Sequence, residues 1–168
     1  MAKCRFCGKE HRYGRREALR AQAATPGRLR RLVAGLSAAQ LRRRPAPRKW
    51  SIQEIALHLA DVEIANGFRY RKAVAEPGST LTPYDQDRWA DGLNYRRLNL
   101  RAALEVFAAL RKAHLLLLRG LSARQWRGWA RHPEYGRYEL GAVFLHMASH
   151  DLNHLEQIRA LRRRWLRG

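Results

Sequence analysis

The sequence predicts an all-α protein built as a four-helix bundle with a long connection between its second and third helices. Three observations carry that reading. Four long stretches repeat apolar residues at spacings of three and four, one Pro- and Gly-marked connection is too long for a tight hairpin between adjacent helices, and no run shows a strand's alternation. A length of 168 residues suits one compact domain with a sizeable core. With 46% hydrophobic and 29% charged residues, the chain is neither a disordered polar tract nor a disulfide scaffold.

Helix one is expected from about Pro26 to Leu41, where Leu29, Leu32, Val33 and Leu36 share a face among arginines. Pro45 and Pro47 then force a turn. Ser51 and Glu54, three apart, can satisfy each other's free backbone N–H groups and start helix two. That helix carries Ile52, Ile55, Leu59, Val62 and Ala65 on one face and runs to about Ala75, where Pro77-Gly78 stops it. Gly78 to Asp91 contains Pro83 and few periodic positions and is read as a crossover. Helix three is expected from about Asn94 to Arg119, with Leu98, Ala102, Phe107, Leu110, His114 and Leu117 inward and Gly120 at its end. A short segment, Ser122 to Trp129, and a loop with Pro133 and Gly136 lead into helix four, from about Glu139 to Arg163. Gly35-Leu36-Ser37-Ala38 recurs as Gly120-Leu121-Ser122-Ala123, which suggests two related helix pairs.

The chain holds 34 Lys+Arg against 14 Asp+Glu, a formal charge of +20, and only Lys3, Lys9, Lys49, Lys72 and Lys112 are lysines. Nucleic-acid binders usually concentrate charge on one face or arm, whereas these arginines occur throughout the chain. The longest apolar run, Val106 to Leu110, is far too short to span a bilayer, so no membrane segment is expected. The N-terminal Met-Ala-Lys-Cys-Arg-Phe-Cys has no secretory apolar run, and the expected compartment is the cytoplasm. Phosphate-binding Gly-rich loops and the G-x-S-x-G nucleophile turn are missing, which removes nucleotide cradling and serine-hydrolase chemistry.

His146, His150 and His154 stand at consecutive spacings of four on helix four. Residues i and i+4 stack one turn apart, so neighbouring imidazoles can share one metal ion. Val143, Met147 and Leu161 lie on the same face, which directs His150 and His154 inward. His58 lies on the inner stripe of helix two and is the natural third ligand. Buried paired imidazoles are tolerated as neutral rings, either hydrogen-bonded or donating to a metal. Three nitrogen ligands leave a position open for water or substrate, the pattern of a catalytic metal rather than a closed structural one. A lone histidine such as His114 reads instead as an ordinary core residue.

Two motifs carry a resemblance. Trp50-Ser-Ile-Gln-Glu-Ile-Ala-Leu-His58-Leu-Ala-Asp61 and His146-Met-Ala-Ser-His150-Asp-Leu-Asn-His154-Leu-Glu-Gln157-Ile158 resemble the helix-two and closing motifs of the DinB-like (YfiT-like) metalloenzyme superfamily, over roughly Thr25 to Leu161. The resemblance implies a four-helix bundle holding a divalent metal, often zinc or nickel, on residues that fall on His58, His150 and His154, with His146 outside the ligand set. It implies a metal-dependent enzyme: a thiol-dependent S-transferase or isomerase, with a low-molecular-weight thiol as cosubstrate, or a hydrolase, acting on a small electrophilic molecule. It names a site and not a reaction, and no catalytic residue beyond the ligands is assigned. Homodimers are the expected assembly. Asp61, Asp151, Gln157 and His146 are candidates for polar support of the ligands, because ligating imidazoles usually give their other N–H to an oxygen acceptor. Trp50, Tyr84, Trp89 and Tyr95 are candidates for a pocket mouth, with packing as the default.

Residues 1–24 read as a basic N-terminal extension before a bundle domain at residues 25–168. In it, Cys4, Cys7 and His11 could supply ligands of a second, knuckle-like metal site, against the alternative of a tail with redox-labile thiols. The competing functional class is a basic nucleic-acid-binding or interaction module, with structural histidines and phosphate contacts from Arg12 to Arg16, Arg42 to Arg44 and Arg162 to Arg164.

Overall fold

The computed structural model describes Phe6 and residues 13–167. Six α-helices follow in order, α1 (Arg15–Val33), α2 (Ala38–Arg42), α3 (Ile52–Ala75), α4 (Gln86–Gly92), α5 (Leu100–Arg119) and α6 (Leu140–Arg167), with a hairpin of β1 (Trp129–His132) and β2 (Gly136–Glu139) before the last. The four long helices form the predicted bundle. α1 and α3 each pack against both α5 and α6, which leaves α1 diagonal to α3 and α5 diagonal to α6. Among the described residues, no helix is long and apolar enough to cross a membrane.

The start of α1 differs from the sequence expectation. The helix begins at Arg15 and passes through Pro26, so the division drawn between residues 24 and 25 falls inside it. Proline has no N–H to offer the carbonyl four residues back, here Gln22. Arg111 on α5 supplies the missing donor: its Nη1 reaches the Gln22 carbonyl at 3.1 Å. The helix ends at Val33, and the stretch expected as its tail turns through Gly35 at φ 73° into α2. Ser37 and Gln40 cap α2 reciprocally, at 2.9 and 3.2 Å. Ser122 and Gln125 repeat that capping pair at 2.9 and 3.3 Å, which gives the sequence echo a local physical meaning.

α3 starts and stops where the sequence places it. Ser51 and Glu54 form the expected reciprocal cap, and Arg44 clamps the buried Glu54 carboxylate through Nε at 3.0 and 3.1 Å. The connection after α3 is not featureless. Gly78, at φ 86°, turns the chain alongside β1, where Gly78 and Leu81 donate N–H groups to the carbonyls of Trp129 and Arg131 at 2.9 and 2.8 Å. Asp85 then caps α4. α5 begins at Leu100, with Asn99 as its cap, because the chain takes a left-handed turn at Asn94, φ 53°. The hairpin contradicts the expectation of no strands. Its strands are four residues each, too short to show a period, and Gly136 at φ 66° completes the turn after Pro133.

The core has two apolar clusters stacked along the bundle. One gathers around Tyr70, Leu118, Trp126 and Phe144, the other around Ile55, Leu59, Phe107 and Ile158. Between them each long helix contributes polar residues: Gln22 and Thr25 from α1, His58 and Glu63 from α3, Arg111 and His114 from α5, and His150 and Asp151 from α6. Burying so many polar groups in one layer costs free energy unless they satisfy one another.

Candidate metal centre

His58 sits on the part of α3 that is buried on all sides, residues 52–60, and is itself buried. His150 and His154 lie one turn apart on α6 and face it. The Nε2 atom of His150 is 3.2 Å from that of His58 and 3.1 Å from that of His154. One ligand atom from each of the three lies within 4.8 Å of the others. Metal–nitrogen bonds of about 2.0 to 2.1 Å in tetrahedral geometry set nitrogens about 3.3 Å apart, so this cluster has the size a divalent cation needs.

The protonation states suit ligation as well. Burial, then the neighbouring His150 and His154 rings, pushes His58 well below its usual value. Burial, then His150, takes His154 down to about 4. Both rings are therefore neutral near pH 7. Gln157 Oε1 stands 2.9 Å from His154 Nδ1, which places the ring's proton there and frees the Nε2 lone pair. His150 Nδ1 is buried without a hydrogen-bond partner and faces the equally unpartnered Oδ1 of Asp151 at 3.8 Å. A small ring rotation would let that N–H meet its carboxylate, the usual support of a ligating imidazole.

Asp151 is held from behind. Its Oδ2 accepts from Arg111 Nη1 at 2.6 Å, while Arg111 Nη2 donates to Glu63 Oε1 at 2.7 Å and Glu63 Oε2 meets His114 Nδ1 at 2.9 Å. Burial raises the Asp151 carboxyl, but the Arg111 guanidinium overrides it and holds the group down at about 2. Sequence reading singled out Asp151 and treated His114 as a lone core residue; it missed Arg111 and Glu63. The available signal was a charged residue on an apolar stripe, since Arg111 occupies the inward position between Phe107 and Leu118. Asp61 takes a different place: its carboxylate accepts the Tyr95 hydroxyl rather than an imidazole N–H. Burial raises the Asp61 carboxyl, and the Tyr95 hydrogen bond opposes that.

The cluster opens on two cavities. One, of about 420 Å³, reaches His58 and His150 and is walled by His146, Arg69, His132 and Tyr138. The other, of about 460 Å³, reaches His154 and Gln157 beside Trp50 and Arg48. Gln86 and Asp87, in the first turn of α4, border both. Trp50 packs its ring 4.7 Å from His58, and Phe6 packs 5.4 Å from His146. Tyr84 lines the first cavity and stacks on Trp89 at 4.3 Å, whereas Tyr95 is core. Cys4, Cys7 and His11 lie outside the described residues.

The family model of the DinB superfamily matches residues 22–158. The chain belongs to the DinB superfamily. A relative from Oceanobacillus iheyensis, named "Putative metal-dependent hydrolase", is 31% identical over 115 residues, which is 68% of this chain and 66% of that protein. A Bacillus mycoides protein of the same name is 27% identical over 139 residues, 83% of this chain and 80% of its own. The chain thus spans just under two thirds of the length of the first of these relatives. Among solved structures, YfiT from Bacillus subtilis, described as "a probable metal-dependent hydrolase with an unusual four-helix bundle topology", superposes with a TM-score of 0.85 at 20% identity, covering 93% of this chain and 91% of that one. The mycothiol-dependent maleylpyruvate isomerase superposes with a TM-score of 0.67 at 16% identity over 88% of this chain and 62% of its own. These likenesses establish the DinB-type bundle.

Proposed function

We propose that the chain is a metal-dependent enzyme in which His58, His150 and His154 hold one divalent cation, zinc or nickel, and that it transfers a low-molecular-weight thiol to a small electrophile. The observation that carries this reading is the three-imidazole cluster, sized for a metal and opening on two cavities. A divalent cation there supplies Lewis acidity that lowers the pKa of a thiol or a water molecule. The chain's own residues do the rest. Gln157 orients the His154 ring, Arg111 keeps Asp151 an acceptor 3.8 Å from His150 Nδ1, and Trp50 packs against the His58 ring. Two cavities favour transfer over hydrolysis, because a thiol and an electrophile each need room and water does not. In the reaction the thiolate sulfur forms a bond to the electrophilic carbon, whose leaving group departs with the electron pair. The names of the sequence relatives support the hydrolase alternative.

Stopped-flow assays of zinc- or nickel-loaded protein separate the two. Chlorodinitrobenzene with a cysteine-containing thiol tests transfer, and nitrophenyl acetate without thiol tests hydrolysis. Metal-dependent thioether formation above the uncatalysed rate is expected. Ester cleavage indifferent to thiol, without thioether formation, would replace transfer with hydrolysis.

A further inference from the structure

The cavity that reaches His58 and His150 also contains a cation that the metal-dependent reading does not use. His58, Val62, Asn66 and Arg69 follow one another along the same stripe of α3 and all line this cavity. Arg69 is half-buried. Its guanidinium lies 5.3 Å from the Tyr84 ring centroid and 5.7 Å from that of Tyr138, whose hydroxyl it also meets, and Nη2 makes a long 3.5 Å approach to the Thr82 carbonyl. Among the described residues, no carboxylate stands within 4.0 Å of it. The other inward-facing arginines differ: Arg111 holds Glu63 and Asp151, and Arg44 holds Glu54.

A second donor stands in the same wall. His132 is buried and its Nδ1 accepts the Glu134 backbone N–H at 3.2 Å, so the neutral ring carries its proton on Nε2. Burial, then the Arg69 charge, lowers the His132 value and keeps the ring neutral. The acidic residues on this cavity, Asp85, Asp87 and Glu134, are exposed at its rim, where solvent screens them, while the half-buried Arg69 carries the positive charge of the wall.

We propose that Arg69 and His132 form a carboxylate subsite, which holds the anionic end of a substrate whose reacting end lies at the three histidines. This rests on the metal-dependent reading above and names its substrate class. At about 1.5 Å per residue, Arg69 stands about 16 Å along α3 from His58. Its side chain leans back toward the helix start, so the substrate spans on the order of 10 Å between reacting atom and carboxylate. The planar fork of the guanidinium suits a carboxylate bidentately.

The test uses cobalt(II)-loaded protein and a series of straight-chain mercapto acids of increasing length, each paired with its amide. Thiolate ligation is read from the sulfur-to-cobalt charge-transfer band. At the spanning length the acid is expected to bind at least about tenfold tighter than the amide. Arg69→Met should erase that preference while leaving the cobalt spectrum and amide affinity unchanged, and Arg69→Lys should keep part of it. Equal binding of acid and amide at every length, or a preference that survives Arg69→Met, would overturn the subsite. Failure to take up cobalt at all would instead refute the metal reading and is visible before any thiol is added. Calorimetry of the same acids and amides on metal-free protein then decides Arg69 alone.

Discussion

His150 stands between two imidazoles that burial keeps neutral, and this crowding makes the site sensitive to acid. The folded values of His58 and His154 lie below the unfolded value of 6.5, with His154 at about 4. Between those limits the unfolded chain binds more protons than the folded one, so stability falls as pH falls through that window and is flat above it. In metal-free protein the thermal midpoint should drop by at least about 3 °C from pH 7 to about pH 4.5, with a smaller drop in His154→Gln. An unchanged midpoint, or the same drop in the variant, would contradict the buried neutral pair. These histidines were legible because their spacing and the apolar stripe around them are one-dimensional signals. Spacing alone does not show that the Asp61 carboxylate, a candidate for ligand support, accepts the Tyr95 hydroxyl.

The helices are locked together by the ion network on α5. Arg111 is 2% exposed and bonds two carboxylates and the carbonyl that Pro26 leaves free. Arg111→Met strands Glu63 and Asp151 and should cost about 3 to 5 kcal/mol in urea unfolding. It should also weaken metal binding, since Asp151 loses the group that orients it toward His150. A loss under about 1 kcal/mol would mean that the network is not coupled. Gly67 on α3 leaves the space that the His114 side chain of α5 occupies. A Cβ there would lie 2.2 Å from Nε2 of His114, whose ring is held by Glu63. Gly67→Ala should cost about 1 to 3 kcal/mol, and most of that should vanish in a His114→Ala background. Helix limits were legible where caps are local, as at Ser51 and Gly120. They were missed where a distant group decides them, as at Pro26, whose helix continues because Arg111 serves the Gln22 carbonyl. The hairpin was missed because strands of four residues are too short to show an alternation.

Across the whole molecule, the two apolar clusters and the polar layer between them turn the bundle's middle into a site, while a net charge of +20 strains its surface. Like charges repel more in the compact state, and salt screens them. The thermal midpoint should therefore rise by about 2 to 5 °C between low salt and about 0.5 M sodium chloride, and a fall would show that attractive pairs dominate. The bundle was legible because amphipathic periodicity sets which faces meet. The cavities were not, because Arg69 on α3, His132 on β1 and Tyr84 in the connection before α4 come together from separate stretches of the chain. Metal content by inductively coupled plasma mass spectrometry, alongside circular dichroism, on wild type, His58→Ala and His154→Ala tests whether the three histidines hold the cation. One equivalent of zinc or nickel is expected in wild type, with its loss in both variants while helix content stays intact. Wild type that takes up no metal, or variants that retain it fully, would contradict the three-histidine centre.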